Sequence, residues 1–546
     1  MRTRVRHPVT VICATLVGLS MNAWAAPPPD LDAVVKQSMR TFEVPGMLLA
    51  LVEPGQAPLT KGYGVRKLGE SAPMDEHTLF SIASNSKAFT AAALAILVDE
   101  GKLSWDDKVV DRLPGFRMYD AYATSEMTIR DLLVHRSGLG LGAGDLLFWP
   151  ESTVSRVELV RRLRYIKPAT SFRSGYAYDN VLYVVAGQLI EAVTGDSWEN
   201  FIVKRIFTPL GMSDSAPSPK YVKSTNRSWP HARLDGPSRG IGKVAPLAFI
   251  PSIANAAPAG GINASAHDMA RWLQVQLDRG VSGKTRLFSA EAAKEMWTPR
   301  VLMPIDTLPA QLQATQPNFN TYALGWHIKD YRGHRVVSHG GFVEGSASIT
   351  YLIPERGVGF IVMMNSEDGE AHDAIAYRLL DHYLGLPATD WVAAFAKAHQ
   401  DKVANAKQVL AAAANLSSAG ATQSASLGSA PGPSLELARY AGTYRDPWYG
   451  EVVITQSGDK LAGDKQSGGQ LSINFTGNPG MHGTLEHVRH DTFRTHFTDR
   501  RMEDAFVTFA LTVAGDIEQA KVQAISPLAD FSFDYQDLLL TPVTQH

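Results

Sequence analysis

The sequence predicts an α+β protein in which a large domain, built on one sheet flanked by helices, precedes a small all-β unit. Three observations predict it. Residues 47–52 and 358–364 are short, continuously apolar runs that read as buried strands, and they stand at opposite ends of the first 390 residues, with helical patterns at 88–100, 180–194 and 266–277 between them. One sheet whose strands come from distant parts of the chain, covered by those helices, accommodates that order. Residues 415–434 are Ser, Ala, Gly, Pro and other uncharged residues, a composition that reads as a flexible linker because it cannot bury a core. Beyond it, 440–444, 451–456, 484–487 and 504–513 alternate apolar and polar residues between glycine-rich turns, as strands of a small sheet or barrel do.

Taken in order, residues 1–25 have a basic start (Arg2, Arg4, Arg6), an apolar stretch over 9–19 and a small-residue box, Ala23-Trp24-Ala25. This reads as a secretory signal, too short for a membrane span, so the mature chain is expected in the periplasm or outside the cell. Cys13, the single cysteine, falls inside that segment, which excludes disulfides, a thiol nucleophile and cysteine metal sites from the mature chain. The chain carries 52 basic and 54 acidic residues; without the three signal arginines the balance is 49 against 54, a net −5. That charge disfavours a nucleic-acid partner, and no later apolar run is long enough for stable membrane insertion. Four segments are expected: 1–25 signal, 26–390 large domain, 391–434 alanine-rich helix and linker, and 435–546 β unit.

The chemistry centres on Ser84-Asn85-Ser86-Lys87. Residues three apart share a helix face, so a helix starting near Ala83 sets the Lys87 amine beside the Ser84 hydroxyl. A serine needs a neighbour to take its proton, and a lysine serves only if burial or positive potential lowers its pKa. The run 88–98 is apolar nearly all round, so this helix is expected inside the protein, with its first turn presenting free N–H groups to Ser84. A second copy of the spacing, Ser457-Gly458-Asp459-Lys460, has turn composition and is set aside.

Two further motifs follow in order, Tyr178-Asp179-Asn180 and His339-Gly340-Gly341, with flanks at 128–139, 209–212 and 259–262. Together with Ser84-x-x-Lys87 they resemble the serine β-lactamase and penicillin-binding-protein superfamily, in its class C-like branch of D-aminopeptidases, D-Ala-D-Ala carboxypeptidases, esterases and β-lactamases. The resemblance covers about 31–386. It implies an antiparallel sheet flanked by helices plus a helical subdomain, no metal and no cofactor. It also implies Ser84, Lys87 and Tyr178 as catalytic, an oxyanion hole from the backbone N–H groups of Ser84 and Phe342, and Asn180, His339 and Gly341 as substrate-binding residues. Tyr178, a phenol titrating near 10 when unperturbed, becomes useful if cations hold it as phenolate or if it relays a proton to Lys87. Asn180 can hold Lys87 or a substrate amide. His339 stands where many relatives have lysine, and it lacks the fixed charge that grips a carboxylate, so a β-lactam or C-terminal D-alanine substrate is demoted.

No Gly-x-Ser-x-Gly elbow occurs, and His487 with His490, three apart on a strand, points to opposite faces rather than to a zinc ion. His135 reads as loop bracing, His267-Asp268 as helix-start chemistry, and 391–414 as a strut. The β unit resembles domains appended to such hydrolases and caps the cleft, forms a dimer contact or stabilises; the oligomeric state stays open. The expected activity is acyl transfer on peptides or peptides containing D-amino acids. A carboxylesterase using the same residues and a penicillin binder with slow turnover are the alternatives.

Overall fold

The computed structural model describes residues 26–248, 253–422, 432–457 and 469–543. The expected signal segment and Gly458-Asp459-Lys460 lie outside these residues.

The large domain is built on an eight-stranded sheet in the order Leu59–Gly64, Gly46–Val52, Val358–Met364, Ser346–Ile353, His334–Val343, His327–Tyr331, Asn320–Tyr322, Val301–Leu302. Every neighbouring pair is antiparallel, and the two chain-end strands meet directly, with Leu49 opposite Val362. Both faces are covered. Leu48, Ala50 and Val52 point into one core, which they share with the helices Ser86–Asp99, Val181–Thr194 and Ala266–Leu277. Met47, Leu49 and Leu51 point into a second core under Leu31–Thr41 and Glu370–Leu384. With neither face wet, the strands have no polar side to alternate with, hence the continuous apolar runs.

Every residue of the Ser86–Asp99 helix from Ser86 to Leu97 is buried. Burying a side chain such as Leu94 contributes roughly 1.5–3 kcal/mol, so this helix is held by packing rather than propensity.

The helix Trp391–Thr422 continues through the start of the uncharged tract, so the boundary at 415 is corrected to beyond 422. Alanine favours helix and no proline interrupts before Pro431. Ala406 and Leu410 of this helix pack with Ile241 of the large domain and Ile525 of the C-terminal unit.

That unit is a closed eight-stranded barrel, sealed where Gly442–Asp446 pairs with Leu539–Pro542. Alternate residues such as Val452, Ile454, Ile473 and Phe475 fill it. The barrel is bound to the large domain by polar contacts: Asn478 Nδ2 donates to the Leu146 carbonyl at 3.1 Å, and Arg162 Nη1 to the Trp448 carbonyl at 3.2 Å. Among the described residues no helix is long and apolar enough to cross a membrane.

Candidate active site

Phe80–Ser81 pairs with Asn263–Ala264, and the chain then turns through the 3-10 segment Ala83–Asn85 into the buried helix. The turn is held tightly. Ile82 N donates to the Ile262 carbonyl at 3.0 Å, Ser348 Oγ donates to the Ile82 carbonyl at 2.9 Å, and Asn85 Nδ2 donates to Ser348 Oγ at 2.8 Å. Ala83 has φ +46°, a left-handed conformation that a non-glycine residue adopts at a cost of about 1–2 kcal/mol. This strained residue sits immediately before Ser84.

Lys87 is 0% exposed, and its Nζ donates to Ser84 Oγ at 3.1 Å, Asn180 Oδ1 at 2.7 Å and the Ala259 carbonyl at 2.9 Å. Burial pulls its pKa down to about 7, against the opposing pull of the Asp145 and Asp179 carboxylates. Tyr178 is half-buried in the cavity wall, and its hydroxyl faces Ser84. Lys87 Nζ lies 4.7 Å from the centre of that ring. Burial pushes the phenol well above 10, which opposes a resting phenolate. His135 braces this loop: its ring packs 4.2 Å from that of Tyr178, and its Nδ1 accepts from Asp179 N at 3.2 Å.

Asn180, His339 and Gly341 all line the cavity in front of Ser84, and each also has a partner within the protein. Both ends of the Asn180 carboxamide are engaged inside the protein, Oδ1 by Lys87 and Nδ2 by Asp145 Oδ2 at 2.8 Å, so Asn180 holds the lysine, one of its two expected roles. His339 is also occupied: Nδ1 donates to the Gly340 carbonyl at 2.6 Å, and Nε2 accepts from Tyr322 OH at 2.8 Å. Burial keeps the imidazole well below its usual pKa, so it is a neutral wall residue. Gly341 is needed for the protein's own packing, because a Cβ there would stand 2.3 Å from the Ile82 carbonyl oxygen and 3.1 Å from Ala83 Cβ. That contact seats the strand His334–Val343 against the serine turn, and Phe342, 40% exposed, follows on the cavity side.

The cavity in front of Ser84 measures about 500 Å³. Phe148, Trp149, Tyr176, Phe342 and Phe531 give it apolar walls, and its described lining includes no lysine or arginine. Several residues here were not found from the sequence. Asp145 lies under Asn180, Tyr322 holds His339, and Phe531 and Ser532 come from the C-terminal unit, where nothing local marks them. Tyr176 lines the wall, as expected. His487 Nε2 donates to the His490 carbonyl at 2.7 Å, a turn contact rather than a ligand pair. Away from this cavity, His77, Asp214 and His267 bring ligand-type atoms within 4.8 Å of one another, but Arg271 Nη2 stands 3.4 Å from His267 Nε2 and would repel a cation there.

The sequence profile of the Beta-lactamase family matches residues 31–385, which span the sheet, Ser84, Lys87, Tyr178 and His339. The chain belongs to the Beta-lactamase family. It is thus a member of the serine hydrolases of β-lactamase and penicillin-binding-protein type, and its C-terminal residues 428–542 match a domain of unknown function, DUF3471. Among similar proteins, Unguisins hydrolase ungD of Aspergillus violaceofuscus is 28% identical over 462 residues, covering 79% of this chain and 77% of that one. Protein flp of Staphylococcus aureus is 25% identical over 62% of each chain. Among solved structures, the octameric penicillin-binding protein homologue from Pyrococcus abyssi superposes with a TM-score of 0.55 at 21% identity, over 91% of this chain and 98% of that one. The D-amino acid amidase from Ochrobactrum anthropi SV3 gives 0.51 at 22% identity, over 65% and 98%. At those identities the two structures share a fold with this Beta-lactamase family member.

Proposed function

We propose that the protein is an exported serine hydrolase that cleaves amide bonds in peptides, including peptides containing D-amino acids, through an acyl-enzyme. One observation carries this reading: Ser84 Oγ lies 3.1 Å from a lysine that burial has brought to a pKa of about 7. A lysine at that value is largely neutral just above neutrality and can accept a proton. Ser84 Oγ attacks the scissile carbonyl while its proton passes to Lys87 Nζ, directly or through the Tyr178 hydroxyl. The backbone N–H groups of Ser84 and Phe342 receive the developing oxyanion, each worth about 100- to 1000-fold in rate. The proton returns to the leaving amine as the C–N bond breaks; water, deprotonated by the same group, then releases the acyl chain as the acid.

The walls support an uncharged acyl environment. With Lys and Arg absent from the described lining, His339 neutral and Asp530 also facing the cavity, the carboxylate of a β-lactam meets no fixed positive charge there. The hydrolase named for unguisins, 28% identical, supports hydrolysis as the reaction class. Turnover of D- and L-aminoacyl p-nitroanilides and short peptides, measured against p-nitrophenyl esters, tests the reading. Cleavage of anilides or peptides supports it; turnover of esters alone would replace it with a carboxylesterase. A fluorescent penicillin adduct that survives denaturing electrophoresis would point to a binder with slow deacylation.

A further inference from the structure

A line of buried hydrogen bonds joins the C-terminal barrel to Lys87. Ser532 Oγ donates to Asp145 Oδ2 at 2.8 Å, the same oxygen accepts from Asn180 Nδ2 at 2.8 Å, and Asn180 Oδ1 accepts from Lys87 Nζ at 2.7 Å. All four residues are buried, and Ser532 and Asp145 are 387 positions apart in the chain. The segment bearing Ser532 is firmly seated. Asp534 Oδ2 accepts from Gly144 N at 2.6 Å, Ser532 N donates to Asp530 Oδ1 at 2.8 Å, and the Phe531 ring stands edge-on to Tyr178 at 5.8 Å. Gly142 has no room for a side chain, since a Cβ would lie 2.7 Å from the Phe531 carbonyl oxygen.

We propose that Ser532 is a positioning residue for acyl transfer: by holding Asp145 as an acceptor it sets, through Asn180, how readily Lys87 gives up its proton, so that docking of the barrel tunes the base of the large domain. This rests on the reading of Lys87 as the proton acceptor for Ser84. A carboxylate with no exposure and one oxygen, Oδ1, lacking a hydrogen-bond partner among the described residues is poorly stabilised, and the two donors on Oδ2 favour its charged form. Burial pushes its pKa well above the usual carboxylate range; the Asn180 and Ser532 donors and then the Lys87 charge pull it back down, while Asp530 and Asp534 oppose its ionisation. Lys87 in turn faces Asp145 and Asp179 and the aromatic faces of Tyr178 and Tyr183, while His135, His327 and His339 stay neutral nearby. Without the Ser532 hydroxyl, Asp145 takes up a proton more easily, the Lys87 ammonium loses its counter-charge, and Lys87 deprotonates at lower pH.

The test is the second-order rate of fluorophosphonate labelling of the full mature chain from pH 5 to 9. In Ser532→Ala the acid limb is expected to move down by about half a pH unit, from the loss of one of two donors to the carboxylate. That shift makes the rate near pH 6, relative to its own plateau, about threefold higher than in wild type. Asp145→Asn moves the limb further the same way, and Ser532→Thr, which keeps the hydroxyl, restores the wild-type profile. If Ser532→Ala does not fold, Ser532→Cys, with a weak thiol donor, is expected to shift the limb in the same direction. A lower plateau or melting temperature with an unmoved acid limb overturns the proposal, because a purely structural role would give that. Ser84→Ala labelled as fast as wild type would instead remove the nucleophile on which the proposal rests; loss of label in Ser84→Ala with an unmoved limb in Ser532→Ala overturns the coupling alone.

Discussion

Replacing Gly341 by alanine adds one methyl at the seam between the strand His334–Val343 and the serine turn. The added Cβ falls 2.3 Å from the Ile82 carbonyl oxygen, 2.7 Å from Ser348 Oγ and 3.1 Å from Ala83 Cβ. Carbon–oxygen contact becomes comfortable at about 3.4 Å, so the strand and the turn must part by roughly 1 Å. The Ile82 carbonyl is backbone and has no rotamer to escape into, and its own N–H is committed to Ile262 at 3.0 Å. The displacement therefore falls on the spacing between the Ser84 and Phe342 amides. A misplacement of about 1 Å lowers acylation on the order of 100-fold, and complete loss of one oxyanion donor reaches about 1000-fold. Overpacking also lowers stability by about 1–3 kcal/mol. Gly340→Ala is the control, since its Cβ meets only Ile349 Cδ1, at an ordinary 3.7 Å, and it should lose no more than a few-fold. Stopped-flow acylation by a p-nitrophenyl ester, with urea unfolding of the same samples, measures both effects. Gly341→Ala acylating within threefold of wild type would refute the reasoning that this strand edge completes the site.

Because Lys87 is useful only when deprotonated and burial sets its pKa to about 7, kcat/KM should rise tenfold per pH unit below that value and level off above it; a flat profile from pH 5 to 8 would contradict this. Lys87→Arg, which stays protonated throughout, should acylate at background rate, and wild-type-like activity in it would contradict the base assignment. Between pH 7 and 10.5 the unfolded chain holds a proton on Lys87 that the folded chain does not, so this group makes stability rise with pH across that window. The urea-derived stability of wild type relative to Lys87→Met should accordingly gain about 2 kcal/mol from pH 7 to pH 9, and an unchanged difference would argue against a depressed lysine. Leu94→Ala, in the buried face of the serine helix, should cost about 2–5 kcal/mol in urea unfolding, and a loss under 1 kcal/mol would mean the helix is not packed as described.

What was legible in the sequence follows from burial. The strands Gly46–Val52 and Val358–Met364 sit between two cores, so their apolar runs stood out, and the helix Ser86–Asp99 is buried all round, so its pattern did too. The barrel alternates because only its inner positions are covered, although its closure through Tyr444 and Pro542 is a tertiary event with no local mark. The Ser84, Tyr178 and His339 motifs were visible as ordered groups, but their hydrogen-bond partners were not. Asp145, Tyr322 and Ser532 are single polar residues in unremarkable surroundings, and they acquire meaning only when the fold brings them under Asn180, beside His339 and against Asp145. The same partners fix Asn180 and His339 in the wall of the cavity. Gly341, which the resemblance places among the substrate-binding residues, also admits a backbone of the protein itself, the Ile82 carbonyl.

The most direct measurement is mass-spectrometric mapping of the adduct formed by a fluorophosphonate with the protein. One adduct per chain on the peptide containing Ser84, absent from Ser84→Ala and strongly slowed in Lys87→Arg, is the predicted result. An adduct on any other serine, or undiminished labelling of Ser84→Ala, would contradict the assignment of Ser84 and Lys87 as the reacting pair.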